Sequence, residues 1–194
     1  MGVTRKAGCT LAELTLRPQV PMGAFHALGF VCALGAVEGL RDAGVSIAAI
    51  GWPQDVVDAR TNHALATLSV HAGYNKGMFA TCAVLGGEQI ALLRDLSDDE
   101  LSSALERGVQ ARVDAWEQQV LAGAAQAGPL APVLSDYFAL VSLLGHRAAA
   151  VYPNGNVMAT GTFAGVDVWG RATLTTADGN QVEFAPEQAT IRPA

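Results

Sequence analysis

Two dipeptides, Asn154-Gly155 and Asp178-Gly179, constrain this chain more than anything else in it. Each is the pair that a two-residue hairpin favours, because both turn positions of a type I′ turn need positive φ. They punctuate β-rich runs at Ala148 to Tyr152, Val157 to Val168, Ala172 to Thr176 and Gln181 to Phe184. Short, closely spaced strands with turn signals between them read as a small β-barrel. Ahead of Gly145 the texture differs, with helical and strand patterns interleaved. The expected organisation is therefore an α/β domain over residues 1–145 and a small barrel over residues 146–194.

Within the first part, Leu11 to Leu16 reads as a strand closed by Arg17-Pro18. A long helix is expected from Met22 to Asp42, with Gly44 just past its end as the left-handed terminating residue. Val45 to Ile50 is a short apolar run that suits a buried strand. Ala64 to Ala72 and Gly77 to Leu85 form a hairpin through Tyr74-Asn75-Lys76-Gly77. Ser97-Asp98-Asp99-Glu100 is a capping box, opening a helix whose apolar positions are Leu101, Leu105, Val109, Val113, Trp116 and Val120. Ala122 to Pro132 breaks that pattern, and a further helix runs from Val133 to Leu144. The fold class is α+β, with a mixed, largely antiparallel sheet and flanking helices.

Composition narrows the function. The chain is 51% hydrophobic, carries a net charge of −6, and has no block of Lys or Arg, so nucleic acid and acidic membranes are not expected partners. Cys9, Cys32 and Cys82 lack Cys-x-x-Cys spacing, which suits a reducing cytoplasm and argues against zinc or a disulfide framework. His26 and His71 have no partners at ligand spacing, so no metal is expected. Residues 1–6 lead into no signal-type apolar core. The apolar stretch from Gly23 to Leu40 is interrupted by His26 and Glu38, and reads as a buried amphipathic helix rather than a membrane span. Neither a phosphate loop nor a dinucleotide-binding glycine motif is present.

One segment carries chemistry. In Ile50-Gly51-Trp52-Pro53-Gln54-Asp55, Pro53 ends the preceding strand and biases Trp52 toward an extended backbone. An aromatic ring, an amide and a carboxylate are then presented together at a strand end. Read alone, Trp52 is also what a core or interface aromatic looks like, Asp55 a turn acid or helix cap, and His63 a loop histidine.

This segment resembles the Lys-Trp-Pro-Asn-Asp signature of biotin protein ligases. Gly8 to Pro18 resembles the strand that follows that family's biotin-binding loop, and the helix from Met22 matches the one ahead of the signature. Thr61-Asn62-His63-Ala64-Leu65-Ala66-Thr67-Leu68 falls where the family has Lys-Leu-Ala-Gly-Ile-Leu. Leu143-Leu144-Gly145-His146-Arg147, Gly161 to Asp167, and Ala189-Thr190-Ile191-Arg192-Pro193 track its SH3-like C-terminal domain. The resemblance implies a class II synthetase-like core followed by that barrel. It implies ATP-dependent attachment of biotin, through biotinyl-adenylate, to a lysine of a carboxyl carrier acceptor protein. The ligands would be biotin and ATP with Mg, held beside Trp52, Gln54, Asp55, His63 and Arg192. Arg192 could equally tether the two domains.

The departures imply a truncated and degenerate relative. No Gly-Arg-Gly-Arg loop precedes Gly8. Gly51 replaces the signature lysine, Gln54 the asparagine, and His63 the second lysine, or Asn62 if the register slips. The family's Gly-Ile-Gly-Ile-Asn becomes Ala83-Val84-Leu85-Gly86-Gly87. Ligation brings a carboxylate to an α-phosphate, so it needs fixed cations where charge accumulates. Between Ala43 and Ala72 the sequence supplies one, Arg60. Losing one preorganised group costs on the order of 10²–10³ in rate. Little or no activity is therefore expected, leaving binding or self-association, with exposed sheet edges and apolar surface favouring a homodimer or a larger assembly.

Overall fold

The computed structural model describes residues 5–194; residues 1–4, the start of the N-terminal segment read above, lie outside them. The first sheet is built from β1 (Thr10–Leu16), β2 (Ala48–Gly51), β3 (Asp55–Asp58), β4 (Ala64–Tyr74) and β5 (Met78–Gly86). Their order is β1-β5-β4-β3-β2, and every ladder is antiparallel. The one parallel pairing among the described residues is the isolated bridge between Ile50 and Val141.

The β4–β5 hairpin turns at Lys76 and Gly77, which take φ of 53° and 136°. Opposite strand faces then diverge in character. Ala12, Val84 and Leu68 align on the buried face, whereas Glu13, Ala83 and Ser69 align on the open one. Helices α1 (Leu28–Asp42) and α2 (Asp98–Leu121) cover the buried face.

The expected helix from Met22 begins as a 3₁₀ turn, Met22–Ala27, before α1 takes over. Its end is the expected one: Gly44 at φ 94° donates to the Arg41 carbonyl and Val45 to that of Leu40, the Schellman arrangement. That turn consumes Val45 and Ser46, so β2 starts only at Ala48. By length and composition Met22–Asp42 could cross a membrane, but 78% of its apolar window is buried inside the protein.

The capping box is formed in full: the Ser97 side chain accepts from the Glu100 N–H, and the Glu100 carboxylate accepts from the Ser97 N–H. Leu101, Leu105, Val109, Val113 and Trp116 are buried. The α1–α2 crossing is unusually close. A Cβ at Gly35 would stand 2.4 Å from the Gly108 carbonyl oxygen, and one at Gly39 would stand 2.2 Å from that of Ala104. Glycine is what lets these backbones touch.

The helix read as Val133 to Leu144 is shorter, α3 (Leu134–Leu140). Val141 turns extended, and the Ser142 N–H donates to the Ile50 carbonyl at 2.7 Å. The sheet's β2 edge captures the residues that would have continued the helix.

The second sheet contains β6 (Arg147–Val151), β7 (Val157–Val166), β8 (Ala172–Thr175), β9 (Gln181–Phe184) and β10 (Thr190–Pro193), in the order β10-β6-β7-β8-β9. It too is antiparallel, with Gly155 and Gly179 at φ of 86° and 83° in its turns. Among the described residues β9 and β10 make no ladder with each other. Phe163, Leu174, Phe184 and Ile191 fill its inner face and join one apolar cluster continuous with the first sheet's core.

Candidate functional site

A cleft of ≈ 480 Å³ lies between the β2–β3 end of the first sheet and β10 of the second. Its walls include Gly51, Trp52, Asp55, His63, Glu88 and Arg192. Four of the five residues singled out in the sequence therefore meet at one opening; Gln54 does not.

The Trp52-Pro53-Gln54 turn connects β2 to β3 through a cis Trp52–Pro53 peptide. It points its side chains in divergent directions. The indole of Trp52 is 2% exposed, and its Nε1–H donates to the Gly170 carbonyl of the second sheet at 3.0 Å. Trp52 thus reaches the cleft only as part of a packed wall, with its polar edge already satisfied. Gln54 turns inward, donating from Nε2 to the Leu68 carbonyl at 3.0 Å and lying against Gly29, where any Cβ would meet its Oε1 at 1.9 Å. It is a cross-brace between the turn, β4 and α1. The Pro53 carbonyl accepts from the buried Tyr137 hydroxyl at 2.8 Å.

Asp55 was open to reading as a turn acid or helix cap. It is instead the first residue of β3, paired with Gly51. Burial lifts its carboxyl from 3.8 to about 6, against the opposing pull of the Leu68 backbone N–H and of Arg192 across the cleft. A half-buried carboxyl without an ion-pair partner is an unusual thing to leave beside a cavity.

The loop from β3 to β4 is organised by Asp58, which is 2% exposed. Its carboxylate accepts from the Arg60 backbone N–H at 2.9 Å and from the guanidinium at 3.3 Å, and Arg60 holds it below the ordinary carboxylate value. Arg60 is therefore committed to the loop. Asn62 takes φ 58° and accepts from the Ser142 hydroxyl. These contacts present His63 at the cleft mouth, 58% exposed, with Nδ1 3.5 Å from a carboxylate oxygen of Glu88.

Asn62 and Glu88 also line the cleft, and Asp58 braces the loop behind it. Asp58 sits in a Val-Val-Asp run that gave no sign of a structural acid, and Glu88 follows Gly86-Gly87 with no motif around it. The cleft sets two carboxylates, Asp55 and Glu88, against one guanidinium, Arg192, and one imidazole, His63. Among the described residues no three His, Cys, Asp or Glu side chains gather to hold a metal ion.

No family model matches this chain, and no curated protein matches it in sequence. Solved structures do. Biotin protein ligase from Aquifex aeolicus superposes with a TM-score of 0.65 at 14% identity, over 94% of this chain and 81% of that one. This is the biotin protein ligase fold. The same protein in complex with biotin and ATP gives a TM-score of 0.65 at 13% identity, over 94% of this chain and 77% of that one. Its apo structure gives the same TM-score and identity, over 94% and 81%. Within a biotin protein ligase fold, then, this chain places between its two sheets a cleft lined by two carboxylates, one guanidinium and one imidazole.

Proposed function

We propose that this is a biotin-protein-ligase-like protein with little or no ligase activity of its own, acting by binding or by self-association as a homodimer. Gly51 carries the reading. It lines the cleft at the position that resembles the signature lysine, and a Cβ there would stand 2.7 Å from Val57 Cγ1. That is closer than real Cβ contacts come, so the wall is packed for the absence of a side chain. A lysine cannot be restored without displacing a buried valine.

The chemistry of the cleft agrees. A triphosphate needs several fixed cations. Arg192, and His63 when protonated, face Asp55 and Glu88, so these residues do not fit a triphosphate, and no catalytic step is assigned through ATP. A neutral hydrogen-bonding ring such as a ureido group is better matched by Asn62, Asp55 and the packed wall. Biotin would bind weakly at best. ATP would bind still more weakly than in active relatives, by roughly 10²–10⁴-fold for two lost charge-assisted contacts. Three free thiols, Cys9, Cys32 and Cys82, support a reducing, cytoplasmic setting. A carboxyl carrier acceptor domain is the partner that the resemblance suggests.

Incubating the chain with biotin, ATP, Mg and an acceptor domain tests this. The expected result is no acceptor labelling above a control lacking the chain; robust labelling overturns the reading. Calorimetry with biotin and with ATP, on the wild type and on Arg192→Ala, locates any residual binding. Arg192 is the better probe, because removing Trp52 would also unpin the two sheets.

A further inference from the structure

A second opening lies across the β3–β4 loop from the cleft. It is a pocket of ≈ 430 Å³ where the C-terminus of α1, that loop and the segment between α3 and β6 meet. Ala49, Val141 and Leu144 contribute apolar wall, and Arg41, Arg60 and His146 line it as well. No Asp or Glu does. In a chain of net charge −6, two guanidiniums and an imidazole without an acid among them reverse the local sign. A concave surface of one sign concentrates ions of the other.

Both guanidiniums are held by groups that leave part of each open. Arg41 donates from Nε to the Ala48 carbonyl at 2.8 Å, and among the described residues no carboxylate pairs with it. Arg60 spends Nε and Nη2 on Asp58, each at 3.3 Å, so Nη1 keeps its two N–H groups. Asp58 itself is 2% exposed and is not among the lining residues. A guanidinium already oriented gives up little freedom when it takes a ligand. His146 is exposed, and either neutral tautomer offers one ring N–H. The Ser142 hydroxyl, also at the pocket, is spent on Asn62.

We propose that this pocket binds a phosphate group, as inorganic phosphate or as a small phosphate monoester. Arginine forks match phosphate oxygens, and the donors here arrive from three separate segments, at Arg41, Arg60 and His146. Donors on three sides suit a tetrahedral anion, whose oxygens point several ways, better than a planar carboxylate. The apolar wall receives a short organic body beside the phosphate. The site is distinct from the cleft, because Asn62 and His63 line one opening and Ala59 and Arg60 the other. It stands whether or not the cleft retains biotin.

Calorimetric titration of the whole chain with inorganic phosphate, at about pH 7.5 and low ionic strength, is the experiment. The expected dissociation constant is about 1 mM or below, rising with added sodium chloride. Arg41→Gln and, separately, Arg60→Gln should raise it about 10-fold or more, the loss of one charge-assisted contact. Arg60→Gln also strips Asp58 of its partner, so Arg41→Lys is the second probe: it keeps the charge, loses the fork and should fall between wild type and Arg41→Gln. Arg107→Gln, exposed on α2, changes net charge equally and should leave binding as it was. Acetate should bind more weakly than phosphate. No heat of binding at about 10 mM phosphate overturns the proposal. So does an Arg107→Gln loss equal to that of Arg41→Gln, which marks a diffuse charge effect. Binding abolished by Arg192→Ala alone puts the phosphate in the cleft and overturns this pocket, and acetate binding as tightly as phosphate overturns the choice of ligand.

Discussion

Replacing Asp55 by Asn should make this protein more stable, and by an amount that depends on pH in a defined way. Burial lifts the Asp55 carboxyl to about 6 from 3.8. A carboxyl with a raised folded pKa holds its proton more tightly when folded, so folding becomes less favourable as pH rises from about 4 to about 6. Below that window the penalty is absent; above it the penalty is complete. About two pKa units at 1.36 kcal/mol each set a ceiling of about 3 kcal/mol, and residual solvent contact brings the expectation to about 1–3 kcal/mol. Asn cannot ionise, yet its carbonyl can still accept from the Leu68 N–H. Urea unfolding of both proteins at about pH 3.5, 5 and 7.5 should give a difference near zero, then intermediate, then about 1–3 kcal/mol in favour of Asp55→Asn. A difference that does not change with pH, or a variant less stable than wild type at the highest pH, would show that Asp55 is neither desolvated nor unpaired as described.

Gly35→Ala or Gly108→Ala should destabilise by about 1–3 kcal/mol, even after the roughly 1 kcal/mol that Ala gains over Gly in a helix, because the new Cβ meets backbone of the facing helix. Gly23→Ala, with nothing within 4 Å of its Cβ, is the control and should be neutral or slightly stabilising; equal urea midpoints for all three would refute the close crossing. Trp52→Phe removes a buried donor and leaves the Gly170 carbonyl unpaired, for a loss of about 2–4 kcal/mol seen in thermal unfolding. A loss below about 0.5 kcal/mol would mean that the indole is not a pin between the sheets.

The parts of the fold that could be read in advance were those specified locally. Lys76-Gly77 takes positive φ at both positions, the Asn154-Gly155 and Asp178-Gly179 turns take it at the glycine alone rather than at both residues as a type I′ turn would, and the Ser97–Glu100 box closes on itself within four residues. Those turns and that cap lie where the sequence puts them. β3 escaped notice because Asp55-Val56-Val57-Asp58 is short and begins right after Pro53-Gln54, so its pairing with β2 and β4 is a tertiary fact. The early end of α3 likewise depends on Ile50, far away in sequence, capturing Val141 and Ser142. At the cleft, residue types gave the composition but not the aim. Gln54 is adjacent to Asp55, yet packs against Gly29 and the Leu68 carbonyl instead of lining the cleft, and Glu88 arrives from beyond the β4–β5 hairpin.

The contacts joining the two sheets also bear on how any ligand could be received. The Trp52 indole hydrogen-bonds Gly170, the ring of Phe30 presses on that same glycine, and Leu130 is tied to Val168. Opening the cleft like a clamshell would mean breaking all three at once. The cleft should therefore have a single width. A guest must fit it as it stands, gains no tightening from closure afterwards, and meets no conformational barrier on the way in. Association should then follow a simple bimolecular rate, and selectivity should come from shape and charge at the mouth rather than from a change of state.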